Sequence, residues 1–208
     1  MRLNGEVLEE VESFRYLGSE ICRSAKMSVE VEQRMKEGMA AFGAMKSIWR
    51  VKEVGMNAKK ALYESIIVPT VLYGGEAWGL KKAERERLDV MEMKCLRSMC
   101  GVTRLDRLEN VELQRKVGVS RPMGVRAEEK LLSWFGHMER MKGERLTKRV
   151  YESEVGGARR RGRPPKGWMD AVKDALKDRG MTVRNAKVIC QNRSEWRAVV
   201  YGRTGAEI

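Results

Sequence analysis

One stretch near the carboxyl end of the chain is unlike the sequence of any regular helix or strand, and it separates the last predicted helices from the rest of the sequence. Residues 158–168 read Ala-Arg-Arg-Arg-Gly-Arg-Pro-Pro-Lys-Gly-Trp, with five cations and no carboxylate. The two prolines have a fixed φ and no backbone donor, and the two glycines favour irregular backbone. We therefore expect an extended basic strip, and the segment 142–167 is predicted to be a linker between the last helices and the rest of the chain.

The charge of the chain is concentrated in its second half. Hydrophobic residues make up 42% of the 208 positions and charged residues 34%, which is typical of a helix-rich globular protein. Residues 1–100 carry 17 basic and 15 acidic side chains, whereas residues 101–208 carry 25 and 14. Such an uneven excess favours RNA or DNA as the partner over an acidic protein or membrane surface.

Targeting signals and cysteine spacing give further expectations. No run of 18 apolar residues exists, which predicts no membrane span, and the first twenty residues contain five glutamates, which is atypical of a leader. We expect an intracellular protein of the nucleus or cytoplasm. The four cysteines (Cys22, Cys95, Cys100 and Cys190) should be reduced and mostly buried. Their spacing does not favour a zinc site, and no cofactor is expected.

Hydrophobic periodicity predicts a mainly α fold with an N-terminal β-hairpin. Asn4-Gly5 is typical of a two-residue hairpin turn, and residues 14–22 have strand propensity. One long amphipathic helix should begin at an N-cap, Ser28, and the helical pattern resumes over 58–68 until Pro69 breaks or kinks it. Further helices are predicted over 81–100, 106–117, 125–141, 168–177 and 192–201.

Candidate catalytic groups are few. Asp170, Asp174 and Asp178 share a helical face that could hold a divalent metal, but intervening lysines favour an ion-paired surface instead. The single histidine, His137, could act as a base or a phosphate donor, although a histidine beside aromatic residues is more often packed and hydrogen-bonded. No glycine-rich phosphate loop and no adjacent pair of aspartates occurs, so no catalytic site and no metal site are predicted.

Five short motifs follow one another in a characteristic order. They are Phe14-Arg15-Tyr16-Leu17-Gly18-Ser19, Leu72-Tyr73-Gly74-Gly75-Glu76-Ala77-Trp78, Trp134-Phe135-Gly136-His137-Met138-Glu139-Arg140, Arg161-Gly162-Arg163-Pro164 with Trp168, and Trp196-Arg197. Together they resemble the carboxy-terminal third of the reverse transcriptase, an RNA-directed DNA polymerase, of LINE-type non-LTR retrotransposons. The resemblance covers nearly the whole chain.

The resemblance implies an arrangement of segments and roles. Residues 1–24 would end the palm as a primer-grip-like β-hairpin, in which Phe14, Tyr16, Leu17 and Gly18 place the primer end. The helices of residues 25–101 would form a thumb, those of 102–141 a post-thumb region, and 168–208 the C-terminal helices. In that family the catalytic aspartates, which need Mg²⁺, lie upstream of the hairpin. We therefore expect a truncated fragment that is not an enzyme by itself.

Two sets of cations are candidates for nucleic-acid binding. Lys46, Arg50, Lys52, Lys59 and Lys60 lie in the thumb-like region, where an ordinary helix surface is the alternative interpretation. Arg159, Arg160, Arg161, Arg163 and Lys166 form the strip, which also matches the core of an AT-hook, a peptide that lies in the minor groove.

Other functions stay open at this point. The chain could be a stand-alone AT-hook-like DNA-binding module, a helical interaction scaffold or a non-functional relic. The strip could also be a plain charged linker. An isolated hairpin has an unpaired edge, which predicts self-association.

Overall fold

A computed structural model describes residues 2–3, 6–7, 9–16, 18–22, 27–153 and 166–202. The strands are β1 (Arg2–Leu3), β2 (Glu6–Val7), β3 (Ser13–Tyr16) and β4 (Ser19–Cys22). The helices are α1 (Met27–Ala44), α2 (Lys46–Arg50), α3 (Met56–Leu62), α4 (Val68–Val71), α5 (Lys82–Cys100), α6 (Asn110–Val117), α7 (Met123–Glu139), α8 (Leu146–Glu152), α9 (Trp168–Lys177), α10 (Val183–Ile189) and α11 (Arg193–Tyr201). The predicted mainly α class is confirmed. Within the described residues, no helix is long and apolar enough to cross a membrane.

The amino-terminal residues form two small antiparallel hairpins. Leu3 pairs with Glu6 between β1 and β2, and the predicted turn residues, Asn4 and Gly5, lie outside the described residues. Tyr16 pairs with Ser19 between β3 and β4, and Gly18 between them has a φ of +84°. A residue with a side chain would be strained at that angle, which accounts for glycine at the turn.

The first helical region departs from the predicted bounds. Ser28 is not an N-cap, because α1 already includes Met27. The chain breaks at Met45, so α1 and α2 are two helices where one was predicted. Pro69 does not end the helix either. A π-helical turn, Tyr63–Ile67, joins α3 to α4, and Pro69 lies in the first turn of α4, where a missing N–H costs least.

The first core is formed mainly by α1, α5 and the segment from α3 to α4. Its largest fully buried side chains include Trp49, Tyr63, Leu88 and Leu96. The Trp49 ring stacks on Phe42 with 4.6 Å between ring centroids, and its Nε1 donates to the Phe42 carbonyl at 2.7 Å. This contact spans the break at Met45 and ties α2 to the end of α1. Helix α5 ends at Gly101 in a left-handed conformation, as predicted.

The second core is formed by α7 with α9, α10 and α11. Leu132 and Phe135 of α7 pack with Val172, Leu176 and Trp196. Helices α9 and α11 have the predicted limits, give or take one residue, whereas α8 and α10 were not predicted. The short α8 falls inside the segment 142–167 that was predicted to be a linker. It packs on α7, where the Tyr151 hydroxyl donates to Glu139 Oε1 at 2.6 Å. The proposed domain limits stay predictions.

Candidate nucleic-acid interface

The motif at 72–78 contacts both α7 and the first residue of α9. Gly74 has a φ of +69° and starts a 3₁₀ turn, Gly75–Ala77, that lies against α7. The turn buries Trp78 and directs the Glu76 carbonyl outward, where it accepts from Trp168 Nε1 at 2.9 Å. The second and fourth motifs are therefore in contact, through residues 92 positions apart in the sequence.

Two further motifs meet where α7 crosses α11. A Cβ built at Gly136 would lie 2.2 Å from Trp196 Nε1, so only glycine leaves room for the indole. The same Nε1 donates to the Leu132 carbonyl at 3.0 Å. Arg140, one turn further along α7, donates to the Cys190 carbonyl. Gly136, Arg140 and Trp196 thus hold the second core together, whereas Arg197 is exposed.

His137 differs from its predicted environment. Its side chain is exposed, because it lies on the side of α7 away from Leu132 and Phe135. Its ring stacks on the half-buried ring of Trp134, with 5.1 Å between centroids. The interpretation of a packed, hydrogen-bonded histidine is therefore not supported.

Two arginines attach the primer-grip-like hairpin to α1: exposed Arg15 of β3 pairs with Glu37 at 2.6 Å, and Arg34 of α1 reaches back to the hairpin. Arg34 is buried, donates to the Gly18 carbonyl, and pairs with Glu30 at 2.8 Å. Its guanidinium also lies 4.5 Å from the ring centroid of Tyr73, which links the hairpin to the second motif. Sequence reasoning missed Arg34. The signal available was its two carboxylate neighbours on the helix, Glu30 and Glu37.

The candidate residues of the hairpin itself face outward. Phe14 is 50% exposed and Tyr16 is 57% exposed, and their rings meet edge to face at 6.4 Å. Leu17 lies outside the described residues. The exposed aromatic pair agrees with a contact surface, but neither the primer-grip role nor self-association is tested, and both stay predictions.

The thumb-like cations divide into one buried side chain and four accessible ones. Lys59 does not lie on the exposed face that was predicted, because its Nζ donates to the Trp49 carbonyl at the end of α2, at 2.8 Å. Lys46, Arg50 and Lys52 are exposed, and Lys60 is half-buried. Helix α6 adds two exposed cations that the sequence analysis did not include, Arg115 and Lys116.

These cations surround the chain reversal between α2 and α3. Lys60 Nζ reaches within 3.3 Å of the position that a Cβ would occupy at Gly118, just after α6. Lys116 and Lys59 both act electrostatically on the Cys100 thiol, whose pKa is nevertheless raised, mainly by burial. We call Lys46, Arg50, Lys52, Lys60, Arg115 and Lys116 the basic patch.

Lys166 of the basic strip contacts the carboxylate row, which is our name for Asp170, Asp174 and Asp178 on and just after α9. Arg159, Arg160, Arg161, Gly162, Arg163 and Pro164 lie outside the described residues, so the AT-hook stays a sequence prediction. Lys166 is not a free phosphate ligand, since its Nζ pairs with Asp174 at 2.7 Å and donates to the Leu80 carbonyl.

The carboxylate row on α9 is engaged by cations and backbone. Asp170 accepts from the Gly167 N–H at 3.1 Å and pairs with Lys173 at 3.3 Å. These contacts lower the pKa of Asp170, with the backbone hydrogen bond as the main cause. Asp178 lies 3.8 Å from Arg85. Among the described residues, no three histidine, cysteine or acidic side chains come together as metal ligands.

Two carboxylates of α5 hold the amino end of α7. Glu92 accepts from the Met123 N–H at 3.0 Å and from the Tyr63 hydroxyl at 2.9 Å. Asp89 accepts from the Gly124 N–H at 2.7 Å. Burial raises the pKa of both Glu92 and Asp89, while these hydrogen bonds oppose that shift. The position of α7, and of the motif it carries, therefore depends on buried carboxylates.

Comparisons with known proteins give two relatives. No protein-family model matches the chain, and no solved structure matches it. An uncharacterized transposon-derived protein of Caenorhabditis elegans is 28% identical over 208 residues, covering 95% of this chain and 73% of that protein. The RNA-directed DNA polymerase from the mobile element jockey of Drosophila melanogaster is 23% identical over 122 residues, which cover 55% of this chain and 13% of the polymerase. The similarities support a retrotransposon-related protein.

Proposed function

We propose that the chain is the nucleic-acid-holding part of a retrotransposon reverse transcriptase, corresponding to its thumb and post-thumb regions. In this proposal it performs no polymerisation itself and binds RNA or DNA through the phosphate backbone, without reading the base sequence. The partial similarity to the jockey RNA-directed DNA polymerase supports the parent family. The surface chemistry of α2, α3 and α6 supports the binding.

The proposal rests on one observation about the basic patch, which is that its cations are not neutralised by carboxylates in the part of the chain that the structure describes. Within the described residues, none of its six cations forms an ion pair with a carboxylate, and Glu53 is the single acidic residue between positions 46 and 60. Cations elsewhere are commonly neutralised, as Lys36 is by Glu32 at 3.2 Å and Lys82 by Glu86 at 3.8 Å. Cations that lack carboxylate partners attract a polyanion and release its counterions.

Salt dependence of binding tests the proposal directly. Dissociation constants of about 10⁻⁴ to 10⁻⁶ M near physiological salt are expected for RNA and DNA duplexes alike. Changing Arg50, Lys52 and Lys116 together to Ala should weaken binding to every duplex and reduce the slope of log affinity against log salt by about one per residue. Fluorescence anisotropy titrations at several salt concentrations give both quantities.

Lysines that are already paired provide the matched control. Changing Lys36, Lys82 and Lys173 together to Ala removes the same formal charge from carboxylate-paired positions. This control should leave the slope nearly unchanged. Equal losses in the two triple variants would contradict a localised interface, and a flat salt response in the wild type would contradict phosphate binding altogether.

A primer-extension assay tests the non-catalytic half of the proposal. The chain should add no nucleotides to a primer on an RNA template with Mg²⁺ or Mn²⁺. Incorporation above a buffer control, lost on changing Asp170→Asn or Asp174→Asn, would show that the carboxylate row binds a catalytic metal after all.

A further inference from the structure

A groove crosses the face where α4, α7 and the end of α11 come together. Three adjoining hollows open on this face, and Lys130 of α7 lines each of them. Val68 and Leu72 line two of the three and supply apolar surface. We call this continuous depression the Lys130 groove.

Aromatic rings line the groove and keep much of their surface exposed. Tyr73 is 49% exposed, Tyr201 is 37% exposed, and Trp134 is half-buried. Arg34 lies over the Tyr73 ring, and the Arg121 guanidinium lies 5.7 Å from the Tyr201 ring centroid. These contacts restrain the rings. Restrained and exposed rings along a groove are the platforms on which unpaired bases stack.

The cations of the groove are balanced by carboxylates, unlike those of the basic patch. Lys130 lies 3.7 Å from Glu76, and Arg126 lies 3.3 Å from Glu64. Surface pairs of this kind are weak, so a phosphate can replace the carboxylate. The groove nevertheless offers less excess positive charge than the basic patch does. Ring stacking, rather than charge, therefore decides what it prefers.

We infer that the Lys130 groove binds single-stranded nucleic acid, with its bases on Tyr73, Trp134 and Tyr201 and its phosphates at Lys130 and Arg126. A duplex keeps its base faces inside its own stack and cannot use these rings. Lys60 lines the groove and belongs to the basic patch, so the two surfaces are continuous. The inference rests on the proposed function, to which it adds a preference for unpaired strands at this site.

Ring-specific variants of the full chain test the inference. Tyr201→Leu and Trp134→Leu remove a ring but keep an apolar side chain, whereas Tyr201→Phe keeps the ring. Each leucine variant should bind a labelled 20-nucleotide oligo(dT) or oligo(U) about tenfold more weakly and a 20-base-pair duplex with unchanged affinity. Tyr201→Phe should match the wild type. Circular dichroism and thermal melting check that each variant is folded.

Tryptophan fluorescence gives a second readout that a structural role would not change. Trp49, Trp78 and Trp196 are buried, and Trp168, although half-buried like Trp134, does not line the groove. Quenching by an added single strand should therefore come mainly from Trp134 and should diminish in Trp134→Leu. Full single-strand affinity in the folded Trp134→Leu/Tyr201→Leu double variant overturns the inference, even if salt-dependent duplex binding persists. Equal losses for duplex and single strand also overturn it. Absence of any binding by the wild type overturns the proposed function itself.

Discussion

The two ends of α7 are held by different chemistry. At its amino end, the carboxylates of Asp89 and Glu92 on α5 accept hydrogen bonds from backbone N–H groups that have no partner within the helix. Near its carboxyl end, α7 has no side chain at Gly136, and the Trp196 indole fills that space. The first contact depends on charge and protonation, whereas the second depends on shape. A change that alters only charge or protonation should therefore affect the amino end of α7, and a change that alters only packing should affect its carboxyl end.

Removing the indole should have the largest effect. Trp196 is 3% exposed and contacts Phe135, with 5.8 Å between ring centroids. Trp196→Ala leaves a cavity between α7 and α11 and should lower the free energy of unfolding by about 3–5 kcal/mol. Urea denaturation measures this change. Exposed Arg197→Ala on the same helix is the control and should stay within about 0.5 kcal/mol of the wild type.

Removing a buried acceptor at the other end should cost slightly less. Glu92→Leu leaves the Tyr63 hydroxyl and the Met123 N–H without their acceptor, which should lower the free energy of unfolding by about 2–4 kcal/mol. Glu92→Gln has the same shape and keeps one acceptor oxygen, for the Met123 N–H, while its amide nitrogen can donate to the Tyr63 oxygen, so it should be far less destabilising. If both variants lost the same stability at neutral pH, the negative charge rather than the hydrogen bonds would hold α7.

Adding one methyl group should disturb the carboxyl end and not the amino end. Gly136→Ala forces the indole to move and should cost about 1–3 kcal/mol. In a Trp196→Leu background the same substitution should cost much less, because the atom that it meets is gone. A double-mutant cycle on urea unfolding measures the coupling. Independent effects of the two changes would show that the close approach carries no energy.

Sequence patterns located the elements that are defined within a single segment. Helices α5, α9 and α11 combine an apolar period with local ends such as Gly101 and Asn192, and their limits were predicted closely. The break at Met45 was missed, and of the two outcomes expected at Pro69, a break or a kink, the break does not occur. The break at Met45 and the unbroken helix at Pro69 both depend on contacts made elsewhere in the fold: the stack of Trp49 on Phe42 and the π turn before α4.

For the site residues too, the sequence could not predict contacts between distant parts of the chain. The motifs correctly marked positions that meet in space, but nothing local indicates that Gly136 accommodates an indole 60 positions away. Lys59 looks like its neighbour Lys60 in the sequence, and only the chain reversal brings it to the Trp49 carbonyl. Whether a cation is paired was likewise unpredictable wherever its partner is distant, as for Arg126 and Glu64.

Protonation of buried carboxylates should have the smallest and most selective effect on the free energy of unfolding. Burial raises the pKa of Asp89, Glu92 and Glu129, so the folded protein binds protons that the unfolded chain releases. A raised pKa contributes stability that is fully present below the ordinary carboxyl pKa and is lost as pH rises through the folded value. The free energy of unfolding should therefore decrease as pH rises above the ordinary carboxyl range, and level off above the raised pKa values of the folded protein.

Urea unfolding at pH 5, 6, 7 and 8 measures this slope, and variants assign it to one end of α7. Glu92→Gln cannot titrate and should make the profile shallower, with Asp89 and Glu129 accounting for the slope that is left. Trp196→Phe should shift the whole profile without changing its slope, because the carboxyl end is held by packing. Asp170 does not interfere in this range, since its lowered pKa affects stability only at more acidic pH. A slope unchanged in the Asp89→Asn/Glu92→Gln double variant would move the proton dependence away from the amino end of α7 and weaken the distinction between its two ends.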